Sequence, residues 1–481
     1  MIVILGPRMS APKATVHFHS LGCPKNLLDT EVMLGTLASS GYALAERLED
    51  ADVAVVNTCA FIESAREESV KAILDVAELR ESGRLRALVV TGCLPQRYGA
   101  ELAKELPEVD AFLGTGAFPE IARALDAALA GQGRGVYVEA GRTHLYDDAS
   151  PRLLTGPGHS AYVKIAEGCD RVCSFCAIPG IRGRFQSRRL DSLVAEARAL
   201  ADAGVRELNL VAQDSTSWGK DLATVQALGA RSEPTRGFAS REASGVRAGR
   251  PKLHDLVRAL DAVEGIDWIR LLYVYPSAVT DELVGALAAA KRVLPYVDVP
   301  LQHASDRVLE RMKRGTTAER QRRLVAKLRE RIPGVTLRTT FIVGFPGESE
   351  AHFAELLEFV AESRFDRVGI FRYSDEEGTA AEALDGKVPR AVARERYRRL
   401  AKLQAGIQAE KLAALVGSEA RVLVDAAVGS RAHGRLASQA PEIDGGVLLG
   451  GAGARVGSFV RARLTGVRGG VDLEAEVLGP A

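Results

Sequence analysis

No apolar run in the 481-residue sequence reaches the eighteen or so residues that a membrane-spanning helix needs. Neither sign of charge prevails: Lys and Arg number 63, Asp and Glu 62, for a formal net charge of +1. A neutral total excludes a global basic field of the kind that draws nucleic acid, although it leaves room for a local patch. The apolar start, Met1 to Leu5, gives way at once to Gly6 and Pro7 and has neither the basic lead nor the long apolar stretch of a secretory signal. A cytoplasmic location without membrane contact is therefore expected. Cysteine is sparse. Its six copies, Cys23, Cys59, Cys93, Cys169, Cys173 and Cys176, would allow three disulfides. That solution suits small secreted chains; in a large chain without a signal, grouped cysteines more often hold metal or do redox chemistry.

What is present is a repeated strand–helix rhythm. Apolar runs at Thr15–Gly22, Asp52–Thr58, Ala87–Gly92 and Asp110–Gly116 alternate with helical periods. This pattern indicates βαβ units and an open parallel sheet over residues 14–131. A Gly-rich, polar linker follows from Gly131 to Pro157. A second series begins at Ser160–Ala166 and continues through Glu207–Gln213, Trp268–Val274, Tyr296–Gln302, Thr336–Gly344 and Asp366–Tyr373. Six such units over residues 155–412 can curl into a partial (β/α)6 barrel. A charged helix is expected from Arg390 to Ala414, and short strands among glycines from 414 to 481 read as a small all-β barrel. The fold class is thus α/β with a β-barrel appended. The stretch 221–250, rich in Gly, Ala, Ser and Arg and without periodicity, reads as a disordered surface insertion or as an arginine-bearing arm that touches ribosomal RNA.

The strongest chemical signal is Cys169-Asp-Arg-Val-Cys173-Ser-Phe-Cys176, just after the first strand of the second series. Three thiolates in one short loop can wrap a four-iron cluster and leave one iron without a protein ligand. A structural zinc site is the alternative, but it wants four ligands, and no further Cys or His lies nearby in sequence. Cys23, Cys59 and Cys93 are far apart in sequence, yet each falls at the carboxyl end of an expected strand, about one βα unit apart. Such ends gather on one edge of an open parallel sheet, where ligands bind, so these three can also converge on a cluster. The alternative is three scattered core thiols, a common fate of cysteine.

The C-x-x-x-C-x-x-C loop resembles the signature of the radical S-adenosylmethionine (SAM) superfamily, whose fold is a partial (β/α) barrel. The resemblance implies that the open iron binds SAM, with Phe175 near the adenine. It also implies that Phe341-Ile-Val-Gly-Phe-Pro-Gly-Glu348, through Ile342, Gly344 and Glu348, flanks the adenosine, that Gln213, at the end of the second strand, meets the methionine end, and that Gln302, at the end of the fourth, is a further cofactor-binding candidate. A residue at such a strand end is otherwise a local cap. Leu21-Gly-Cys23-Pro-Lys-Asn26, Asn57-Thr-Cys59 and Thr91-Gly-Cys93-Leu-Pro95 resemble the N-terminal domain of the methylthiotransferases, and the final barrel resembles their TRAM domain. The implied activity is replacement of C–H by a methylthio group with two 4Fe–4S clusters. SAM serves as methyl donor and radical source, and a flavodoxin or ferredoxin as electron donor.

Leu21-Gly-Cys-Pro-Lys-Asn26, Gln213-Asp-Ser-Thr-Ser-Trp-Gly219 and Gln439-Ala-Pro-Glu-Ile-Asp-Gly445 resemble the branch acting on an aspartate of small ribosomal subunit protein twelve. Arg and acidic residues balance in the final barrel, which suits a basic protein loop better than a nucleic-acid backbone; there Glu442 and Asp444 are candidate substrate contacts. The rival readings are a transfer-RNA adenosine methylthiotransferase, and a non-catalytic iron–sulfur protein that binds RNA or senses redox state.

Overall fold

The computed structural model describes residues 11–139, 141, 143–223, 249–429, 431–451 and 454–481. Most of the stretch 221–250 lies outside the described residues. The first sheet holds β1 (Thr15–Ser20), β2 (Ala43–Leu44), β3 (Val53–Thr58), β4 (Ala87–Gly92), β5 (Ala111–Leu113) and β6 (Gly135–Tyr137) in the order 2-1-3-4-5-6. Every pairing in it is parallel. β3 and β4 are buried at every position, as their unbroken apolar sequences require of strands covered on both faces. β6 lies within the expected linker. At three residues it is too short for its periodicity to register, and it exists because β5 offers it a parallel edge. The same segment carries the buried Tyr146 and Arg152. Arg152 bonds Glu31 at 2.7 Å and Glu196 at 2.7 Å, so it ties the first domain to the second.

The second sheet is open and six-stranded, in the order β14-β13-β12-β11-β10-β7. Its strands are β7 (Ser160–Lys164), β10 (Glu207–Val211), β11 (Trp268–Leu271), β12 (Val293–Asp298), β13 (Thr336–Val343) and β14 (Arg367–Arg372); a small pair, β8 (Ala166–Glu167) with β9 (Gln186–Ser187), stands apart. β12 begins three residues before the expected start and runs through Pro295. A register shift against β11 accommodates a residue that has no N–H to give the ladder. Side chains alternate across this sheet. Leu208, Leu210, Ile269 and Leu271 face the helices and join the main core. Glu207, Asn209, Val211, Arg270, Tyr296 and Asp298, at the intervening positions, line the concave side.

The C-terminal strands β15 (Glu419–Val428), β16 (Arg431–Arg435), β17 (Val447–Gly450), β18 (Phe459–Arg468) and β19 (Asp472–Pro480) close into a barrel. It docks at the amino ends of the central strands. Arg435 reaches Glu207 at 2.7 Å and Asp425 at 2.8 Å, Arg270 reaches the Gln439 carbonyl at 3.0 Å, and Phe459 packs edge-on against Trp268. This leaves the carboxyl ends of the central strands for the cysteine loops.

Candidate active site

The loop of Cys169, Cys173 and Cys176 follows β8 and is pinned by backbone bonds rather than by secondary structure. Cys169 N–H donates to the Gly183 carbonyl at 3.1 Å. Ser174 N–H donates to the Met312 carbonyl at 3.1 Å, and its hydroxyl to the Arg311 carbonyl at 2.7 Å. Arg314 Nη1 lies 3.2 Å from Cys173 Sγ, and the Tyr275 hydroxyl donates to the Arg314 carbonyl at 3.0 Å. Burial pushes the Cys176 thiol up to about 12. Burial also raises the Cys169 thiol.

Cys23, Cys59 and Cys93 meet at the carboxyl edge of the first sheet, as the βα spacing required. Cys23 stands directly before the helix Pro24–Ser39, Cys59 directly after β3, and Cys93 opens the helix Cys93–Glu105. Two glycines make this convergence possible. Gly22 and Gly92 have φ of 93° and 100°, a region costly for any residue with a side chain. A Cβ on Gly22 would lie 2.8 Å from Cys59 Cβ, and one on Gly92 would lie 2.4 Å from Asn57 Oδ1. Burial pushes the Cys93 thiol up to about 12, and Arg182, then Cys59 and Cys23, act on it electrostatically.

All six cysteines are free. Among the described residues, no three His, Cys, Asp or Glu side chains are gathered tightly enough to grip a single metal ion. A cluster asks for less, because each thiolate binds a different iron. Thiols alone in each trio, left-handed glycines that open the space beside Cys59 and Cys93, and an arginine against one sulfur fit such a group.

Between the two trios lies a buried ionic network. Arg182 Nη2 approaches Cys93 Sγ at 3.5 Å and bonds Asn26 Oδ1, while its Nη1 bonds Asp29 at 2.6 Å. Lys164 joins Asp29 at 2.5 Å to Glu167 at 2.6 Å. Glu167 accepts from Gln213 Nε2 at 2.5 Å. Burial raises the Glu167 carboxyl, but Lys164 and Arg182 outweigh that and hold it well below the usual range. Arg182 opens a basic run with Arg184, Arg188 and Arg189; its partners Asp29 and Glu167, and the Lys164 that shares them, carry no motif, whereas Asn26 closes the Leu21–Asn26 motif. The one available signal was a lysine at a concave-facing position of β7. Of the rest of that run, Arg188 is buried against Glu196, whereas Arg184 and Arg189 pair at the surface with Asp170 and Asp191.

The tail of β11 passes between both trios. Tyr273, in the left-handed region at φ 61°, is raised by burial and then by the charge of Cys23; Lys25 Nζ rests 3.1 Å from its ring centre. Tyr275, two residues on, faces Cys173, Arg314 and Arg171.

The remaining expected residues divide. Phe175 and Ile342 share one apolar pocket with Phe345, Met312 and Val308. Gln302 sits at a strand end with φ 76°, and its N–H donates to the Thr340 carbonyl at 2.8 Å. Gly344, at φ 76°, packs where a Cβ would lie 2.5 Å from Ala393. Glu348 is buried. Its carboxylate accepts the Gly344 N–H at 2.8 Å and an Arg396 bond at 2.8 Å, so it shapes its own turn. Glu442 is exposed, with φ 70°. Asp444 does not fit the substrate-contact expectation. It is buried at the opposite end of the barrel, bonded to the Tyr296 hydroxyl at 2.5 Å and the Ala440 N–H at 2.9 Å, with Arg338 and Arg367 beyond. The sequence could not show that its loop plugs the central barrel.

An open parallel barrel with a three-cysteine loop at its strand ends defines a radical SAM enzyme, which implies a 4Fe–4S cluster and SAM. Residues 163–360 match the radical SAM superfamily, residues 416–478 the TRAM domain, and residues 15–114 a family described as uncharacterized protein family UPF0004. A structure of the radical SAM methyltransferase TsrM from Kitasatospora setae gives a TM-score of 0.52 at 15% identity, over 86% of this chain and 79% of that one. At that identity the likeness speaks for the fold alone. The ribosomal protein uS12 methylthiotransferase RimO of Geobacter sulfurreducens is 45% identical over 95% of this chain and 97% of its own. That of Sorangium cellulosum is 48% identical over 94% and 88%. The chain belongs to the RimO family of radical SAM methylthiotransferases.

Proposed function

We propose that this chain replaces a hydrogen on the β-carbon of an aspartate in ribosomal protein uS12 with a methylthio group, with Cys169, Cys173 and Cys176 holding one 4Fe–4S cluster and Cys23, Cys59 and Cys93 a second. The observation supporting this reading is the tail of β11, where Tyr275 stacks on Arg314, which meets Cys173 at 3.2 Å, and Tyr273 stacks on Lys25, two residues from Cys23. When bound, the clusters and SAM supply the reducing electron, the radical, the sulfur and the methyl group. The chain's own residues bind, orient and exclude water. Phe175 and Ile342 form the apolar wall for adenine, and Gly344 keeps the backbone beside it free of a side chain. Gln213 and Gln302 face the methionine end, with Gln213 oriented by Glu167. Arg182 holds positive charge against Cys93 and joins the two sites. Glu348 acts by shaping the turn, and Glu442, exposed on the C-terminal barrel, contacts the substrate protein.

The working units are 14–131, 155–412 and 414–481. The electron donor is a flavodoxin or ferredoxin, and the setting is the cytoplasm; among the described residues no helix is long and apolar enough to cross a membrane. The test is anaerobic reconstitution with iron and sulfide, reduction, and incubation with SAM and either a uS12 loop peptide or transfer RNA. The expected result is methylthio mass on the peptide's aspartate, with deoxyadenosine released. Mass added only to an adenosine of transfer RNA, or no deoxyadenosine at all, would overturn the proposal.

A further inference from the structure

Lys25 is a buried ammonium that the fold leaves without a carboxylate of its own. It is 7% exposed, its Nζ lies on the face of Tyr273, and among the described residues no ion pair engages it. A buried cation without an anionic partner costs several kcal/mol, which a single aromatic face repays only in part.

The neighbouring carboxylates are already committed. Asp298 holds Arg338 at 2.9 Å and accepts the Tyr273 N–H at 3.1 Å. Glu167 holds Lys164, Arg182 and Gln213, and Asp29 holds Lys164 and Arg182. Of Lys25, Lys164, Arg182 and Arg338, only Lys25 has no carboxylate in an ion pair among the described residues. Lys25 is two residues from Cys23, beside the trio to which the proposed function gives the transferred sulfur, and against the tail of the strand that spans both sites.

We propose that Lys25 is the specificity-determining residue that receives the carboxylate of the substrate aspartate. That carboxylate is one bond from the carbon that reacts. Held by an ammonium next to Cys23, it fixes the β-carbon between the two trios, and it supplies the ion-pair partner that Lys25 lacks. A neutral side chain in its place leaves the ammonium unpaired, and an adenosine base offers it no anion. This inference rests on the uS12 reading of the site.

The experiment uses the full chain, reconstituted with iron and sulfide, and two fluorescent uS12 loop peptides that differ only in Asp or Asn at the modified position. Anisotropy measures binding, and mass analysis measures product. The intact chain is expected to bind the Asp peptide roughly 10- to 100-fold more tightly than the Asn peptide, the worth of one charged hydrogen bond in a dry site. This arm needs no variant, so it stands even where a substitution harms folding. Lys25→Met is expected to bind both peptides equally weakly, and Lys25→Arg to restore part of the preference, with iron content unchanged in both. An intact chain that modifies the Asp peptide yet binds the two peptides alike, or a Lys25→Met protein that keeps the preference, overturns the Lys25 assignment and leaves the uS12 reading standing. A Lys25→Met protein that loses iron and a cluster potential but keeps the preference likewise overturns it, because the lysine then serves the cluster. An intact chain that modifies neither peptide overturns the uS12 reading and this assignment with it.

Discussion

The two cysteine trios reach similar geometry by opposite routes. Cys169, Cys173 and Cys176 lie within one loop, held by bonds to Gly183, Met312 and Arg311, and any fold that orders this loop brings them together. Cys23, Cys59 and Cys93 come from three βα units and meet only because β1, β3 and β4 are parallel neighbours in one register. The first trio depends on local backbone, the second on the whole sheet. The second should therefore be the more vulnerable to distant changes.

The largest effect expected separates the trios outright. Cys169→Ala, Cys173→Ala or Cys176→Ala should abolish deoxyadenosine release and product together. Cys23→Ala, Cys59→Ala or Cys93→Ala should remove about half of the iron and all methylthio product while deoxyadenosine release persists. Iron analysis and single-turnover assay check this, and a Cys93→Ala protein with full iron would break the comparison.

Next comes Arg182→Met, which cuts the joint between the trios. It leaves Asp29 and Glu167 short of a buried partner, and the expected loss is about 3–5 kcal/mol in denaturant unfolding. Iron should be lost from the Cys93 side first.

Glu207→Gln tests the far end of the barrel, where no cysteine lies. Burial raises the Glu207 carboxyl, and Arg435 and Arg270 hold it below the ordinary range. Its folded pKa is thus lower than its unfolded one, so its contribution is present at neutral pH and is lost as pH falls through and below that range. Wild-type unfolding free energy should decline more steeply with acid than that of Glu207→Gln, while both retain full iron.

The smallest effect is expected from Tyr275→Phe, which removes the hydroxyl's hydrogen bond to the carbonyl of Arg314, the residue that meets Cys173, worth about 1 kcal/mol. The signal of the loop cluster should shift in its redox titration while that of the other cluster stays in place.

Legibility in the sequence followed the same division. The strands β3 and β4, covered on both faces, were readable because an unbroken apolar run has few other uses. β6 was not, because three residues carry no period and its partner edge belongs to β5. The cysteine loop was readable from spacing alone. Lys164, Glu167 and Asp29 were not, because a buried charge looks like a solvated one until its partner is known. Asp444 was misread for the same reason: its carboxylate is answered by Tyr296, Arg338 and Arg367, more than seventy residues away in the chain.

The sequence by itself determined the α/β rhythm, the six thiols and their division into a close set and a spaced set, since these depend on residue type and on separation along one chain. Only the tertiary structure decided that the concave face of the central sheet is plugged by the C-terminal barrel at one end, bridged by Arg182 at the other, and left with Lys25 as an unanswered charge. The physical reason is that charge pairing and burial are properties of neighbours in space, and strands that adjoin there are separated by whole βα units in sequence.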